Sequence, residues 1–424
     1  MGTSCGLMKR MSGSFVEDFL KDIFFATFGQ SWRASCGRLS KFVPILTKFI
    51  PMPHDFRPSF WEQTTFLRPA DVIVVGAGLT GLQAALELKK MSPKRDVLVV
   101  ERAAVPRGAS TRNAGFACFG GPTELLADED AYGKEDCLST VKQRYAGIRA
   151  LEANFGGKGI NWHQHGGYEI VDDPTTEALV RERLPALNAL LREATGLRET
   201  WSIVPGHNGL FTLYNPLEAQ LHPGKLVERL VRDGQAAGVR FLFGTQVLEV
   251  GKGRVETKSF GTLHGKEVLL TVNAFARELL PGDFPETIRP VRNQVLLSRE
   301  IPGLPIKGCY HYHEGYVYFR NVGDNRLLIG GARHLAGETS ETAAFGSNAV
   351  IARQLVKYLQ DWYPELGLRE EDFPWRWSGI IAQGDGKTPV LRRTEDGVLV
   401  AGRLAGMGVA LSAALAARAA ALLE

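Results

Sequence analysis

Asp71-Val72-Ile73-Val74-Val75 runs directly into Gly76-Ala77-Gly78-Leu79-Thr80-Gly81. An uninterrupted apolar run behind one charged residue is the pattern of a strand buried on both faces, and the residues after it fit GxGxxG. From Leu79 the apolar residues Leu82, Ala85 and Leu86 recur at helical spacing until Lys89 and Lys90 close the turn. A second apolar run, Val97-Leu98-Val99-Val100, ends on Glu101, about 20 residues past Gly81, where a βαβ unit places the acid that bonds an adenosine ribose. The three glycines then divide the work. Gly76 makes the tight turn, Gly78 admits a pyrophosphate to the backbone, and Gly81 lets helix and strand pack. The helix N-terminus faces the phosphates. Glu101 disfavours a 2′-phosphate by repulsion, and Arg102 beside it works the other way.

Outward from this unit, Gly108-Ala109-Ser110-Thr111-Arg112-Asn113-Ala114-Gly115 forms a second loop of small and hydrogen-bonding residues just after the ribose acid. Small side chains there let backbone lie against a broad flat ring. Near the C-terminus, Gly397-Val398-Leu399-Val400-Ala401-Gly402 reads as another buried strand. It opens through Arg403-Leu404-Ala405-Gly406-Met407-Gly408 into an Ala- and Leu-rich helix. A glycine turn feeding a helix brings partial positive charge, which suits a flavin that becomes anionic on reduction. A pyridine nucleotide shares the first fingerprint and is the competing dinucleotide.

The whole chain has 424 residues, 44% hydrophobic and 23% charged, which excludes a disordered protein and gives room for two or three domains. Fifty Lys plus Arg against 46 Asp plus Glu leave a net charge of +4, too weak a bias to mark a nucleic-acid surface. Cys5, Cys36, Cys118, Cys137 and Cys309 are odd in number and contain no CxxC, so a reducing compartment, the cytoplasm, is expected. No apolar run reaches the roughly 18 residues of a membrane span. Residues 1–65 read as an extension: Phe15, Phe19, Ile23 and Phe24 recur at helical spacing, followed by Arg33, Arg38, Lys41 and Lys48. An organelle-targeting segment is the alternative, although Glu17, Asp18 and Asp22 are unusual in one. Met52 offers an alternative start.

From about Ser59 to Glu424 the chain resembles FAD-dependent oxidoreductases of the D-amino-acid oxidase superfamily. The resemblance rests on the fingerprint with Glu101, the RNAG loop from Gly108 to Gly115, and the closing strand, glycine turn and helix. Leu221-His222-Pro223-Gly224-Lys225-Leu226 through Gly238-Val239-Arg240-Phe241 is similar to the family's middle segment, where Thr245-Gln246-Val247 supplies backbone near the adenine. Trp61-Glu62 resembles the γ-glutamylputrescine oxidase branch, and Thr111 departs from the glycine usual in the loop. The resemblance implies an α/β fold: a Rossmann-type FAD-binding domain of residues 66–150, 221–283 and 380–424, interleaved with an α+β substrate domain of residues 151–220 and 284–379. The first part of that substrate domain reads as helical and charged. The second is strand-rich, with Val291–Leu297, Tyr316–Phe319 and Arg326–Ile329 as strands of an antiparallel sheet. The FAD contacts it implies are Gly76, Gly78, Leu79, Thr80, Gly81, Glu101, Arg102, Ser110, Thr111, Arg112, Asn113, Ala114, Gly115, Val247, Gly402, Gly406, Met407 and Gly408.

Such an enzyme oxidises the C–N bond of an amino acid or small amine to an imine by hydride transfer to flavin N5, then passes electrons to oxygen or another acceptor. A 2-hydroxy acid as substrate, or a decayed flavin-binding subunit, is the alternative. A neutral amine and correct orientation are what the step demands, so the informative residue is a carboxylate-binding arginine. Arg333, after Gly330-Gly331-Ala332, is the candidate, against a solvated arginine at a strand end. In Tyr310-His311-Tyr312-His313, a strand would put His311 and His313 on one face, as substrate contacts or as bare surface. Tyr318 and Arg320 follow on the next strand. Lys387, in Asp385-Gly386-Lys387-Thr388-Pro389, is either a cation near the flavin N1 and O2 or an exposed loop lysine. Cys118 is a buried filler or a thiol for flavin attachment. His311/His313 and His163/His165 have no further ligands at metal spacing, and no metal is expected.

Overall fold

The computed structural model describes residues 57–157, 159–282 and 288–424, so the expectations for residues 1–56 fall outside the described residues. Contacts divide the chain at Trp61/Glu62, and the unit from Glu62 onward holds both sheets and the cavity between them.

The apolar run becomes the strand Ala70–Val75. It pairs in parallel with Val97–Val100 on one side and Gly261–Leu270 on the other. Arg240–Leu242 and Leu399–Gly402 extend the parallel sheet outward. Val390–Arg393 closes one edge antiparallel, and a Val247–Gly251/Arg254–Thr257 hairpin folds against Gly261–Leu270. Strand periodicity divides the apolar run between two cores. Val72 and Val74 pack with Leu82, Leu411 and Leu415 of the helical layer, whereas Ile73 and Val75 pack with Val250 and Val255 of the hairpin. The helical layer is Leu79–Met91, Gly408–Ala421 and Lys134–Phe155. Close approach is built in: a Cβ on Gly147 would run into the carbonyl oxygen of Ala410.

A second sheet has the order Trp375–Gln383, Arg289–Glu300, Arg326–Gly331, Val317–Val322, Cys309–Tyr312, Gly167–Val171, Phe211–Asn215, Ser202–Val204. The helix Ala349–Trp362 covers one face, seating Ile351, Leu355 and Trp362 on Leu296 and Phe319. Two expectations need correction. The sheet is mixed, because Cys309–Tyr312 runs parallel to Gly167–Val171 with His311 opposite Glu169. The stretch 151–220 is not simply helical: beside the helix Pro174–Thr195 it contributes three strands to this sheet. Those strands are short, three to five residues, and Gly167–Val171 carries a glutamate in its middle, so apolar patterning does not announce them. Two expected boundaries also fall inside elements, Lys134–Phe155 and Trp375–Gln383. Among the described residues no helix is long and apolar enough to cross a membrane.

Candidate cofactor and substrate cavity

A cavity of about 900 Å³ runs between the two sheets, lined by residues of both. On the parallel-sheet side its wall is mostly backbone. Gly76 takes φ +105°, a value open to glycine. Gly78 is the N-cap of the Leu79–Met91 helix and has no side chain with which to fill the space in front of it. A Cβ there would stand 3.0 Å from Ser110 Oγ, which itself accepts the Leu79 amide at 2.9 Å. Thr80 also lines the cavity, whereas Gly81 lies behind it, where a Cβ would run into the Gly76 carbonyl oxygen. Glu101 fastens the turn: its carboxylate accepts the Ala77 and Ala103 amides, each at 3.0 Å, and leaves lone pairs for ribose hydroxyls. Arg102 and Val247 line the same end, Arg102 lying 4.0 Å over the Phe275 ring and 3.6 Å from Glu278.

The second loop is held by its own side chains. Asn113 donates to Ala109 and Ser110 carbonyls and accepts the Gly115 amide at 2.8 Å. Arg112 donates to the carbonyls of Arg107 and Ser378. Thr111 turns to the Pro106 carbonyl at 3.1 Å and is outside the lining, whereas Ser110, Arg112, Asn113, Ala114 and Gly115 are in it. At the C-terminal turn Gly406, Met407 and Gly408 line the cavity, while Gly402 ends its strand against Asn273. Arg403 at φ +55° braces this turn by donating to the carbonyls of Asp385 and Thr388. Cys118 is buried beside Met407, with 4.0 Å between sulfurs, and burial pushes its thiol well up, so it stays protonated.

Side chains make the other wall. Arg333 is inserted beside Tyr316, its guanidinium 4.6 Å from the ring centroid, and no carboxylate bonds it among the described residues. Burial lowers its pKa, without removing the charge. Tyr318 is pushed up to about 12 by burial and accepts from Asn293 Nδ2 at 3.2 Å. Asn293 Oδ1 is buried and has no hydrogen-bond partner among the described residues. Lys387 is no exposed loop lysine: it reaches Glu124 at 2.8 Å and Asp128 at 3.1 Å. Glu124 also pairs with the fully buried Arg144 at 3.1 Å. Burial alone would raise Glu124, but Arg144 and Lys387 outweigh it and hold the carboxyl at about 2.

His311 and His313 do not share a face. The strand ends at Tyr312, and His313 and Glu314 adopt φ +51° and +52°, turning His313 out to solvent against His334. His311 lines the cavity instead, bonded to Glu218 at 2.8 Å. Cys118, Glu218 and His311 present ligand atoms within 4.8 Å of one another, with His311 Nε2 and Glu218 bonded to each other at 2.8 Å. Asn293, Glu124, Asp128 and Arg144 escaped the sequence reading. Asn293 left no distinct signal there, since it lies in the polar run Arg292-Asn293-Gln294 of its strand.

The geometry fits FAD: backbone cradle and helix N-terminus for the pyrophosphate, an acid for the ribose, and a long cavity between small-residue loops. A model of the family described as FAD dependent oxidoreductase matches residues 71–422. "Probable oxidoreductase OrdL" of Rhizobium meliloti is 27% identical over 366 residues, covering 81% of each chain. The γ-glutamylputrescine oxidoreductase of Escherichia coli is 24% identical over 368 residues, 80% of each. The crystal structure of iminodiacetate oxidase from a Chelativorans species superposes with a TM-score of 0.67 at 18% identity, covering 82% of this chain and 94% of that one.

Proposed function

From the premise that this chain belongs to the FAD-dependent oxidoreductase family and binds FAD, we propose that it oxidises the C–N bond of an amino acid whose free carboxylate is held by Arg333. The observation that carries this reading is a half-buried guanidinium that lines the cavity and has no acid bonded to it among the described residues. A guanidinium partly withdrawn from water favours a partner anion, and a substrate carboxylate supplies one bidentately. Asn293 Oδ1, buried in the same wall and without a hydrogen-bond partner among the described residues, accepts an N–H of the amine. Tyr318 stays protonated at neutral pH and serves as a donor rather than a base. FAD supplies the two-electron acceptor, bound by Gly76, Gly78, Glu101, Ser110 and the Gly406–Gly408 turn. Residues 66–150, 221–283 and 380–424 would form the FAD-binding domain, and 151–220 and 284–379 the substrate domain.

The relatives' names point to amines and amino acids: the Escherichia coli relative is a γ-glutamylputrescine oxidoreductase, and the superposed structure an iminodiacetate oxidase. Anaerobic mixing of the yellow protein with D-amino acids, N-methyl amino acids, polyamine derivatives and 2-hydroxy acids tests the reading. Bleaching by a carboxylate-bearing amine is expected. Bleaching by 2-hydroxy acids alone, or by nothing, would remove the amine assignment. Arg333→Leu is expected to raise KM for carboxylate substrates about a hundredfold and to leave uncharged amines little changed. Equal effects on both would take Arg333 out of the site.

A further inference from the structure

Arg144, Arg320 and Arg403 are the buried arginines among the described residues, and Arg403, which like Arg320 donates only to carbonyls, braces the C-terminal turn. Arg144 has Glu124 for a counter-ion. Arg333 opens on the cavity, where a ligand can reach it. Arg320, 6% exposed, is closed off from both. Its fork donates to three carbonyl oxygens, those of Ala114, Asn321 at 3.0 Å and Leu221 at 2.9 Å, and no acid pairs with it among the described residues. Its surroundings do not neutralise it. Burial keeps the Cys309 thiol protonated, Glu218 is bonded to His311 at 2.8 Å, and burial holds His222 below its ordinary value. Burial also draws the guanidinium down to about 10, which leaves it charged at neutral pH. Room has been made for it: Gly115 takes φ +76°, and a Cβ there would run into the Leu221 carbonyl and stand 2.9 Å from Arg320 Nη2.

A buried charge satisfied only by carbonyls costs several kcal/mol unless some state of the protein uses it. Arg320 holds the Ala114 carbonyl and lies against Gly115, and both residues of that turn line the cofactor cavity. Reduced flavin is negative where oxidised flavin is neutral, and a fixed cation in a dry site favours the negative form without reorganising. We infer that Arg320 is a positioning residue whose fixed charge, acting through the Ala114–Gly115 turn, biases bound FAD toward its reduced, anionic form. This rests on FAD binding and on no assignment of substrate. A plain staple, valuable for its three hydrogen bonds alone, is the competing account.

The test is a dye-coupled reductive titration of purified holoprotein, with sulfite binding as a second readout because the sulfite adduct also places negative charge on the flavin. Neither needs a substrate, so the outcome is independent of the reaction proposed above. Arg320→Met is expected to retain FAD, to lower the reduced-to-oxidised ratio at a fixed potential about tenfold, which is about 30 mV for a two-electron couple, and to weaken sulfite about tenfold. Arg320→Lys keeps the charge and loses most of the fork. It is expected to hold the parent potential even where thermal stability falls. Should Arg320→Met not accumulate with FAD, Arg320→Gln, neutral but still a donor, gives the same readout. Should neither neutral variant load, Arg320→Lys decides the matter alone. Unchanged potential in a neutral variant, or a Lys variant shifted as far as a neutral one or unable to load, would establish the staple and overturn the inference.

Discussion

The parallel-sheet side of the cavity is walled by backbone at Gly76, Gly78 and Gly406, whereas the mixed-sheet side is walled by the side chains of Asn293, Tyr318 and Arg333. The difference sets what each wall tolerates. A backbone wall fails when any atom is added, since peptide groups cannot move aside without breaking the sheet. A side-chain wall changes its preferences when an atom is exchanged and stays standing. The largest expected effects therefore come from the glycines, and they divide. At Gly81 a new Cβ meets the Gly76 carbonyl oxygen and Thr271 Oγ1 at 2.5 Å, in the middle of the fold. Gly81→Val should abolish soluble expression. At Gly78 it meets only Ser110 Oγ at 3.0 Å, and on the cavity face. Gly78→Val should fold, with normal circular dichroism, and purify colourless. A yellow Gly78→Val protein with full flavin content would show that the pyrophosphate does not run past this turn.

Next in size is the polar knot behind the side-chain wall. Glu124 is the counter-ion of both Arg144 and Lys387. Glu124→Gln leaves Arg144, with no exposed side-chain surface, short of a counter-charge, a loss of about 3 kcal/mol. The sign of its pH dependence follows from a folded value of about 2 against an ordinary 4.5. The carboxylate contributes stability above about pH 5, and that contribution is lost as pH falls toward 2. Thermal melts of the parent should therefore drop steeply over this window and those of Glu124→Gln should not. Parallel melting profiles would mean that the knot does not stabilise the fold.

The two walls also differ in how much the sequence discloses. Gly76, Gly78, Gly81 and Glu101 form a contiguous signal because one βαβ unit supplies strand, turn, helix and acid within about 30 residues, so the fold around them was readable from spacing. Arg333 was readable as the end of a strand. The knot was not: Lys387 meets Glu124 across 263 residues, and local periodicity says nothing about charges that find each other only through the topology. His313 misled for a local reason, since alternation predicts a shared face with His311 only while the strand lasts, and positive φ at His313 ends it. Arg320 stood beside Tyr318 in the sequence as an equal candidate, yet it packs under the Ala114–Gly115 turn rather than into the cavity.

The smallest expected effect separates two acids of similar burial. Glu169 is fully buried, opposite His311 in the parallel pair, and accepts from the Thr123 amide at 2.9 Å and hydroxyl at 2.6 Å. Burial is its dominant influence and outweighs those bonds, raising the carboxyl to about 7, the reverse of Glu124. The folded protein then keeps a proton that the unfolded chain releases near 4.5. That contribution is complete below the unfolded value and is lost as pH rises through about 7. Glu169→Gln mimics the protonated form and keeps an oxygen for Thr123. Between pH 5 and 8 the parent should lose a few degrees in Tm that the variant does not, on the order of 1–3 kcal/mol. Identical slopes in that window would mean that Glu169 is charged throughout.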